Sequence, residues 1–495
     1  MAALRPDALQ GVGLQEADFR LSGPNGFGDG QNHYAHSMAV FEGRVYVGTT
    51  RAIIPAHKWN QLRPDIRPWP VDSPDFIFDI PRQAEIWCFD PAEDEWIRVY
   101  QAPMVRANSG NMMVPRYIGY RGIGVFQGAS DHKPCLYVST WAPQPADPPD
   151  ILRSEDGRHF APAARPPFSP AVRSFRTLQV FQGRVHTTPT SSSQGARKIS
   201  DSIGSDSTIY ATRDIQTADW EAANEEGFGS KANVTVFEME EFNDHLYAAT
   251  VNPKTGFELW KTAGGDLPYR WTKVLSRGGD RGIFNEVGVS LCEFRGALYV
   301  GTGVLNGGFH RATGIGPAAA EIIRVWPDDS WELIVGESRS TREGMRYPLS
   351  GLGPGFEKLF NGYVWRMAEH DGWLYAGTFS WGQNLAYLPL HTWPPDAVAL
   401  LDLWGRDWLT THLGGAEVWR SADGEHWQPV TRNAFGNRYN WGIRNFASTP
   451  HGLFIATANP YGPTIAQQQA GGDWQYIDNH RGGCEIWLGR PGGWR

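Results

Sequence analysis

One short run, of the form Leu-Tyr-Val-Gly-Thr, recurs seven times along the chain, beginning at Val45, Leu136, Val185, Leu246, Leu298, Leu374 and Leu453. The third copy, Val185-His186-Thr187-Thr188-Pro189, is the most divergent. Such repetition means one supersecondary unit stacked on itself, which constrains the fold more than any single residue does. Each unit can be spelled out. A first strand leads to an aromatic-x-Gly turn, such as Phe41-Glu42-Gly43 or Phe181-Gln182-Gly183, and the repeated strand follows. After a loop of variable length comes a third strand, as in Ala84-Glu85-Ile86-Trp87, Phe257-Glu258-Leu259-Trp260, Ala416-Glu417-Val418-Trp419 and Cys484-Glu485-Ile486-Trp487. A short turn then delivers an aromatic residue (Trp96, Phe160, Trp220, Trp271, Trp331 or Trp427) that opens a fourth strand. Alternating β-branched and aromatic residues between Gly, Asp and Pro clusters are the strand-and-turn signal.

Four antiparallel strands in each of seven units predict an all-β chain, a single seven-bladed β-propeller over residues 1–495. The turns Arg153-Ser154-Glu155-Asp156-Gly157-Arg158-His159-Phe160 and Arg420-Ser421-Ala422-Asp423-Gly424-Glu425-His426-Trp427 resemble the Asp-box turns of sialidase-like propellers, without the spacer between Asp and Gly. The aromatic-x-Gly-x-Leu-Tyr pattern is similar to that of kelch-type propellers. This resemblance spans nearly the whole chain but is architectural, because such turns serve enzymes and binding proteins alike. The last unit stops short: Trp494 should open its fourth strand, and the chain ends at Arg495. The stretch Leu14 to Leu21, with alternating Ala17, Phe19 and Leu21, is the expected substitute, which would close the ring.

An Asn recurs nine residues before the turn aromatic or its equivalent (Asn32, Asn233, Asn285, Asn361, Asn440). The third strand opens on Glu85, Asp150, Glu258, Glu321, Glu417 or Glu485. Catalysis needs a carboxylate once or as one pair, so residues repeated around a ring are expected to be structural, satisfying backbone N–H groups between blades. The same holds for Thr49, Thr140, Thr250, Thr302, Thr378 and Thr457.

Function is expected where the symmetry breaks. The loops between second and third strands vary most, at about 50–83, 190–207, 303–320, 379–415 and 458–483. Within 379–415, the run Pro395 to Leu409 predicts a helix with Leu400, Leu401, Trp404 and Trp408 on its apolar side, serving as a lid across the channel mouth or packed on the rim of neighbouring blades. Beneath it, each first strand offers one position four residues after the Asn register: His36, Arg121, Arg176, Phe237, Val289, Trp365 and Arg444. With Arg51 and Arg366 nearby, these would form an electropositive funnel with an aromatic wall, suited to an anion. Inter-blade ion pairing to the repeated acids is the competing role for these arginines.

Two functions follow. The first is an enzyme acting on a partly aromatic, anionic small molecule. It would use His36, His33 and Tyr34 for proton transfer and Arg51, Arg121, Arg176, Trp365, Arg366, Arg444, Trp441 and Trp404 for binding. The second is a non-catalytic module that binds a glycan or protein through Trp381, Trp393 and Trp474. A metal-dependent oxygenase or lyase is a variant of the first, since His33, His36, His57, His310, His391, His412 and His480 all fall in the channel-mouth segments; no metal-type spacing supports it, and the cofactor stays open.

A net charge of −8 without a clustered basic face argues against nucleic acid. No apolar run approaches the roughly 20 residues of a membrane span. The start, Met1 to Asp7, has no apolar leader core, and Cys88, Cys135, Cys292 and Cys484 are scattered, expected as buried free thiols. These features point to the cytoplasm.

Overall fold

A computed structural model describes residues 13–59, 68–168, 171–191, 207–217, 219–305, 308, 310, 313, 316–388, 391 and 395–493. The chain is mostly β, and its sheets are antiparallel. Long hairpins such as Asn32–Phe41 with Arg44–Arg51, or Asn361–His370 with Trp373–Ser380, are each followed outward by two further strands. In the first unit those are Glu85–Asp90 and Glu95–Gln101; in the sixth, Val418–Ser421 and Trp427–Thr431. Phe19–Leu21 is the strand that pairs with Ile486–Gly489, Phe19 lying opposite Gly489. Tyr34 pairs with Ala458, so the first hairpin also adjoins the last. Cys88, Cys135, Cys292 and Cys484 are buried free thiols.

The repeated polar residues form one recurring network. Asn361 donates to Glu417 (3.0 Å) and to the Gly355 carbonyl (2.9 Å), while the Thr378 hydroxyl accepts the Glu417 N–H (2.8 Å) and donates to Asn361 (3.1 Å). The indole of Trp419 donates to the same carboxylate (2.9 Å), and Arg432 pairs with it at 3.1 Å. The set repeats at Asn32, Thr49, Glu85, Trp87 and Arg98, and at Asn233, Thr250, Glu258, Trp260 and Lys273. Where the second unit lacks the Asn, Tyr117 and Arg116 serve Asp150 instead. These carboxylates mainly accept from side chains rather than from backbone N–H groups, and it is the Thr that takes a backbone N–H. That corrects the division of labour expected from sequence.

A second repeat accompanies the first. Gly26-Phe27, Gly227-Phe228 and Gly355-Phe356 each place two successive residues at positive φ, a conformation that costs free energy outside Gly. It swings the Phe flat onto the Trp of the network: Phe27 on Trp87 at 4.7 Å, Phe228 on Trp260 at 4.8 Å, Phe356 on Trp419 at 4.6 Å, each within 7° of parallel. Stacking of this kind contributes about 0.5–1.5 kcal/mol beyond burial and offsets the strained turn.

Candidate functional site

The inner strands carry a β-bulge at a fixed place. Ala35 opposes Thr49 and Ser37 opposes Gly48, which leaves His36 unopposed. Arg121, Phe237, Val289, Trp365 and Arg444 occupy the same extra position in their own strands. A bulge re-aims the side chains around it, and here it falls on the register singled out by its distance from the Asn. The following residue commonly ties neighbouring hairpins together. Ser37 donates to the Tyr120 carbonyl (2.9 Å), Ser290 to that of Val364 (2.9 Å), and Asn445 to that of Ala35 (2.8 Å). In two units that residue is charged instead: Arg366 meets Glu238 at 2.7 Å.

The bulge residues converge. His36 feels the charges of Arg444, Arg121, Arg176 and Arg366, and Arg176 and Arg444 repel each other as well as Arg121. Arg176, only 7% exposed, lies over the Phe237 ring at 4.1 Å. Arg444 lies over Trp365 at 5.2 Å and Arg121 over Trp141 at 5.4 Å. Arg121 also donates to Ser174 (2.8 Å) and Thr190 (3.2 Å). Among the described residues no carboxylate comes within ion-pair distance of these three arginines, and the Nε atoms of Arg176 and Arg444 have no partner. The repeated acids pair elsewhere, with Arg98, Lys273, Arg339 and Arg432, so inter-blade ion pairing is not what holds the central arginines.

Burial and then mutual repulsion push Arg444 down to about 9, and burial alone takes Arg121 to about 10, so both stay charged at neutral pH. His36 is pushed well below 6.5, first by burial and then by the arginines, and is neutral. Its Nδ1 bonds the Thr50 hydroxyl at 2.7 Å. Tyr34 lies edge-on to His36 (5.5 Å), Trp365 (5.9 Å) and Trp441 (6.2 Å), and burial holds its phenol protonated.

One apolar cluster runs from this wall into the long loops. It joins Trp365, Trp441 and Phe379 to Ile54, Trp69, Leu385, Leu409, Tyr461 and Ile465, with Tyr34 and Phe237 packed against it. The 379–415 insertion is therefore packed on the pocket wall. Its helix is two, Pro395–Trp404 and Arg406–His412, broken at Gly405, whose φ is 78°.

Several expected site residues lie elsewhere. Arg51 spends its guanidinium on Asn32 (2.9 Å), Asp29 (2.5 Å) and the Pro81 carbonyl (2.9 Å), so it belongs to the repeated network rather than to the pocket. His33 is fully buried. One ring nitrogen faces the Gly462 carbonyl (3.0 Å) and the other accepts the Ile53 N–H (2.9 Å), and burial drops it to about 3, so no nitrogen is left for proton transfer. Trp404 is 58% exposed, against Trp408, and stands outside the apolar cluster of the wall. Trp381 is buried against Phe360 rather than exposed, and Trp474 is half-buried beside Tyr387. Trp393 lies outside the described residues. The histidines do not converge: His310 bonds the Pro253 carbonyl and His412 stacks on Trp408. Among the described residues no three His, Cys, Asp or Glu side chains are grouped to hold a metal. Glu238 and Trp141 were missed, Glu238 because it sits one place beyond the register and Trp141 because it ends a second strand.

Two residues beyond Glu238, burial and then the charge of Glu238 raise Glu240 to about 8, from an ordinary 4.5. A carboxyl whose folded pKa is raised contributes stability in full below pH 4.5 and loses it as pH climbs through about 8. Urea unfolding should therefore show stability falling across that window, by up to about 1.4 kcal/mol per pH unit. Glu240→Gln should flatten the slope; an unchanged slope would place the titration elsewhere.

No protein-family model matches the chain, and no curated protein matches its sequence. Solved structures do resemble it in shape. An ancestral GH74 enzyme superposes with a TM-score of 0.48 at 11% identity, covering 95% of this chain and 49% of that one, so the chain spans about half its length. Sqt1 of Saccharomyces cerevisiae gives 0.39 at 9% identity over 94% of this chain and 97% of its own. Virginiamycin B lyase from Staphylococcus aureus gives 0.37 at 8% identity, covering 78% of this chain and 98% of its own. Likenesses this distant carry no argument about activity.

Proposed function

We propose that the repeated units are seven blades of one propeller, closed into a ring by the Phe19–Leu21 strand. Its central channel, roofed by the 379–415 insertion, binds a small, anionic, partly aromatic molecule and acts on it as an enzyme. The observation that carries this reading is three clustered arginines, Arg121, Arg176 and Arg444, that lie on aromatic rings and have no carboxylate within ion-pair distance among the described residues. Burying a guanidinium without a counter-charge is costly, and a bound anion would relieve that cost. The aromatic wall of Tyr34, Trp365 and Trp441 suits an apolar body. His36, neutral and beside the anion, is the general base. An anion offsets the arginine field, so His36 becomes more basic only when substrate is present. Tyr34 is the neutral hydrogen-bond donor.

The glycan- or protein-binding alternative loses one of its three tryptophan anchors, because Trp381 is buried. The test is a melting-temperature screen of small aromatic anions against neutral isosteres, followed by mass spectrometry of each stabilising compound after incubation. Anions should stabilise the wild type and fail to stabilise an Arg121→Met, Arg444→Met double variant. His36→Asn should keep the stabilisation and lose conversion. Equal shifts from neutral isosteres, or conversion surviving in His36→Asn, would refute the assignment.

A further inference from the structure

We infer that the group held by Arg121, Arg176 and Arg444 is a tetrahedral dianion, the phosphate of a monoester or a phosphonate, rather than a carboxylate; this rests on the anion-pocket reading above. Charge balance is the first argument. Four guanidinium groups, those of Arg121, Arg176, Arg366 and Arg444, share the cluster. Among the described residues Glu238 is the single carboxylate within ion-pair distance of any of them. Three positive charges remain. A monoanion would leave two of them uncompensated out of bulk water, whereas a dianion leaves one.

Geometry is the second argument. The three arginines come from three different places in the chain: Arg121 from Gly119–Phe126, Arg176 from just beyond Val172–Phe175, and Arg444 from Gly442–Thr449. Each has an aromatic ring against it: Trp141 at Arg121, Phe237 at Arg176 and Trp365 at Arg444. A ring against the guanidinium fixes its plane without consuming its in-plane N–H groups, as a carboxylate partner would, and Arg121 spends only one of its nitrogens, on Ser174 and Thr190. A carboxylate offers two oxygens, which two forked guanidinium groups already saturate, leaving the third without an acceptor. A phosphoryl group presents three terminal oxygens on three sides, one edge for each arginine.

Titration calorimetry at about pH 7.5, where a phosphate monoester is mainly the dianion, distinguishes the possibilities with three probes of one aromatic body: phenyl phosphate, phenyl sulfate and benzoate. Phenyl phosphate should bind at least about tenfold more tightly than either monoanion. Arg176→Met and, separately, Arg444→Met should each bring its affinity to within about threefold of benzoate, with native circular dichroism retained. Benzoate binding as tightly as phenyl phosphate would overturn this inference and leave the anion pocket standing. Phenyl sulfate matching phenyl phosphate would overturn the dianion assignment. Absence of binding by all three probes would overturn the inference and the pocket together. A phosphate preference kept by both folded variants would show that these arginines do not hold the group.

Discussion

Replacing Arg176 with methionine is expected to make the unliganded protein more stable, by about 1–3 kcal/mol, while cutting its response to a phosphate monoester to about that of benzoate. Arg176 is 7% exposed, feels the charges of Arg121 and Arg444, and has no carboxylate within ion-pair distance among the described residues, Glu238 acting on it only from further off. A buried charge without a counter-charge carries a desolvation cost of several kcal/mol, and replacing buried ionic groups with apolar residues of similar volume often stabilises by about 1–4 kcal/mol. Against this stands the loss of the contact with Phe237, worth about 0.5–2 kcal/mol. Methionine fills most of the volume and still packs on that ring. Repulsion on Arg444 and Arg121 falls at the same time, which adds to the gain. Urea unfolding with and without an anionic ligand decides the matter. A loss of stability of more than about 1 kcal/mol in the unliganded variant would mean that Arg176 is a structural cation, and the pocket would lose its strongest support.

The opposite outcome is expected at Glu417. Glu417→Ala should cost about 3–5 kcal/mol, among the larger losses a single substitution can cause. The carboxylate is 1% exposed and takes hydrogen bonds from Asn361, Trp419 and Arg432, with Lys358 at 3.6 Å. Removing it takes the counter-charge from the Lys358 ammonium, which keeps only the Gly415 carbonyl, and takes an acceptor from the Asn361 amide and the Trp419 indole, each at a desolvation cost. Burial already presses Lys358 down to about 8 with the carboxylate in place, and without it the ammonium would tend to lose its proton. Glu417→Gln should recover part of the loss, because the amide oxygen still accepts from Asn361 or Trp419. A cost below about 1 kcal/mol for Glu417→Ala would show that the recurring network is dispensable. The paired outcomes matter together, since they separate a buried charge met by its partners, at Glu417, from one with no carboxylate at ion-pair distance among the described residues, at Arg176.

What the sequence disclosed and what it withheld divide along the same line. The alternation of Leu-Tyr-Val-Gly-Thr strands and the Asn spacing are local and periodic, so they mark the units and even the bulge position that gathers His36, Arg121 and Arg444. Counting cannot reveal which polar atoms are already bonded. Arg51 and His33 look like Arg444 and His36 in composition, yet their nitrogens are taken by Asn32, Asp29, Gly462 and Ile53. Glu238 sits next to a register position, and its role depends on pairing with Arg366 from another strand, which spacing within one unit does not encode. The Gly-Phe turns did carry a signal, a Gly-Phe pair with Asn five residues beyond the Phe, at Phe27, Phe228 and Phe356. That motif identifies the aromatic that stacks on the network Trp.

Pairing Phe19 with Gly489 has a temporal meaning as well as a spatial one. A ribosome delivers residue 19 long before residue 489. Until the later partner emerges the earlier segment has no mate, while Ile486–Gly489 finds its outer neighbour already made. That pairing therefore forms only after every intervening hairpin has been synthesised, whatever order those hairpins adopt.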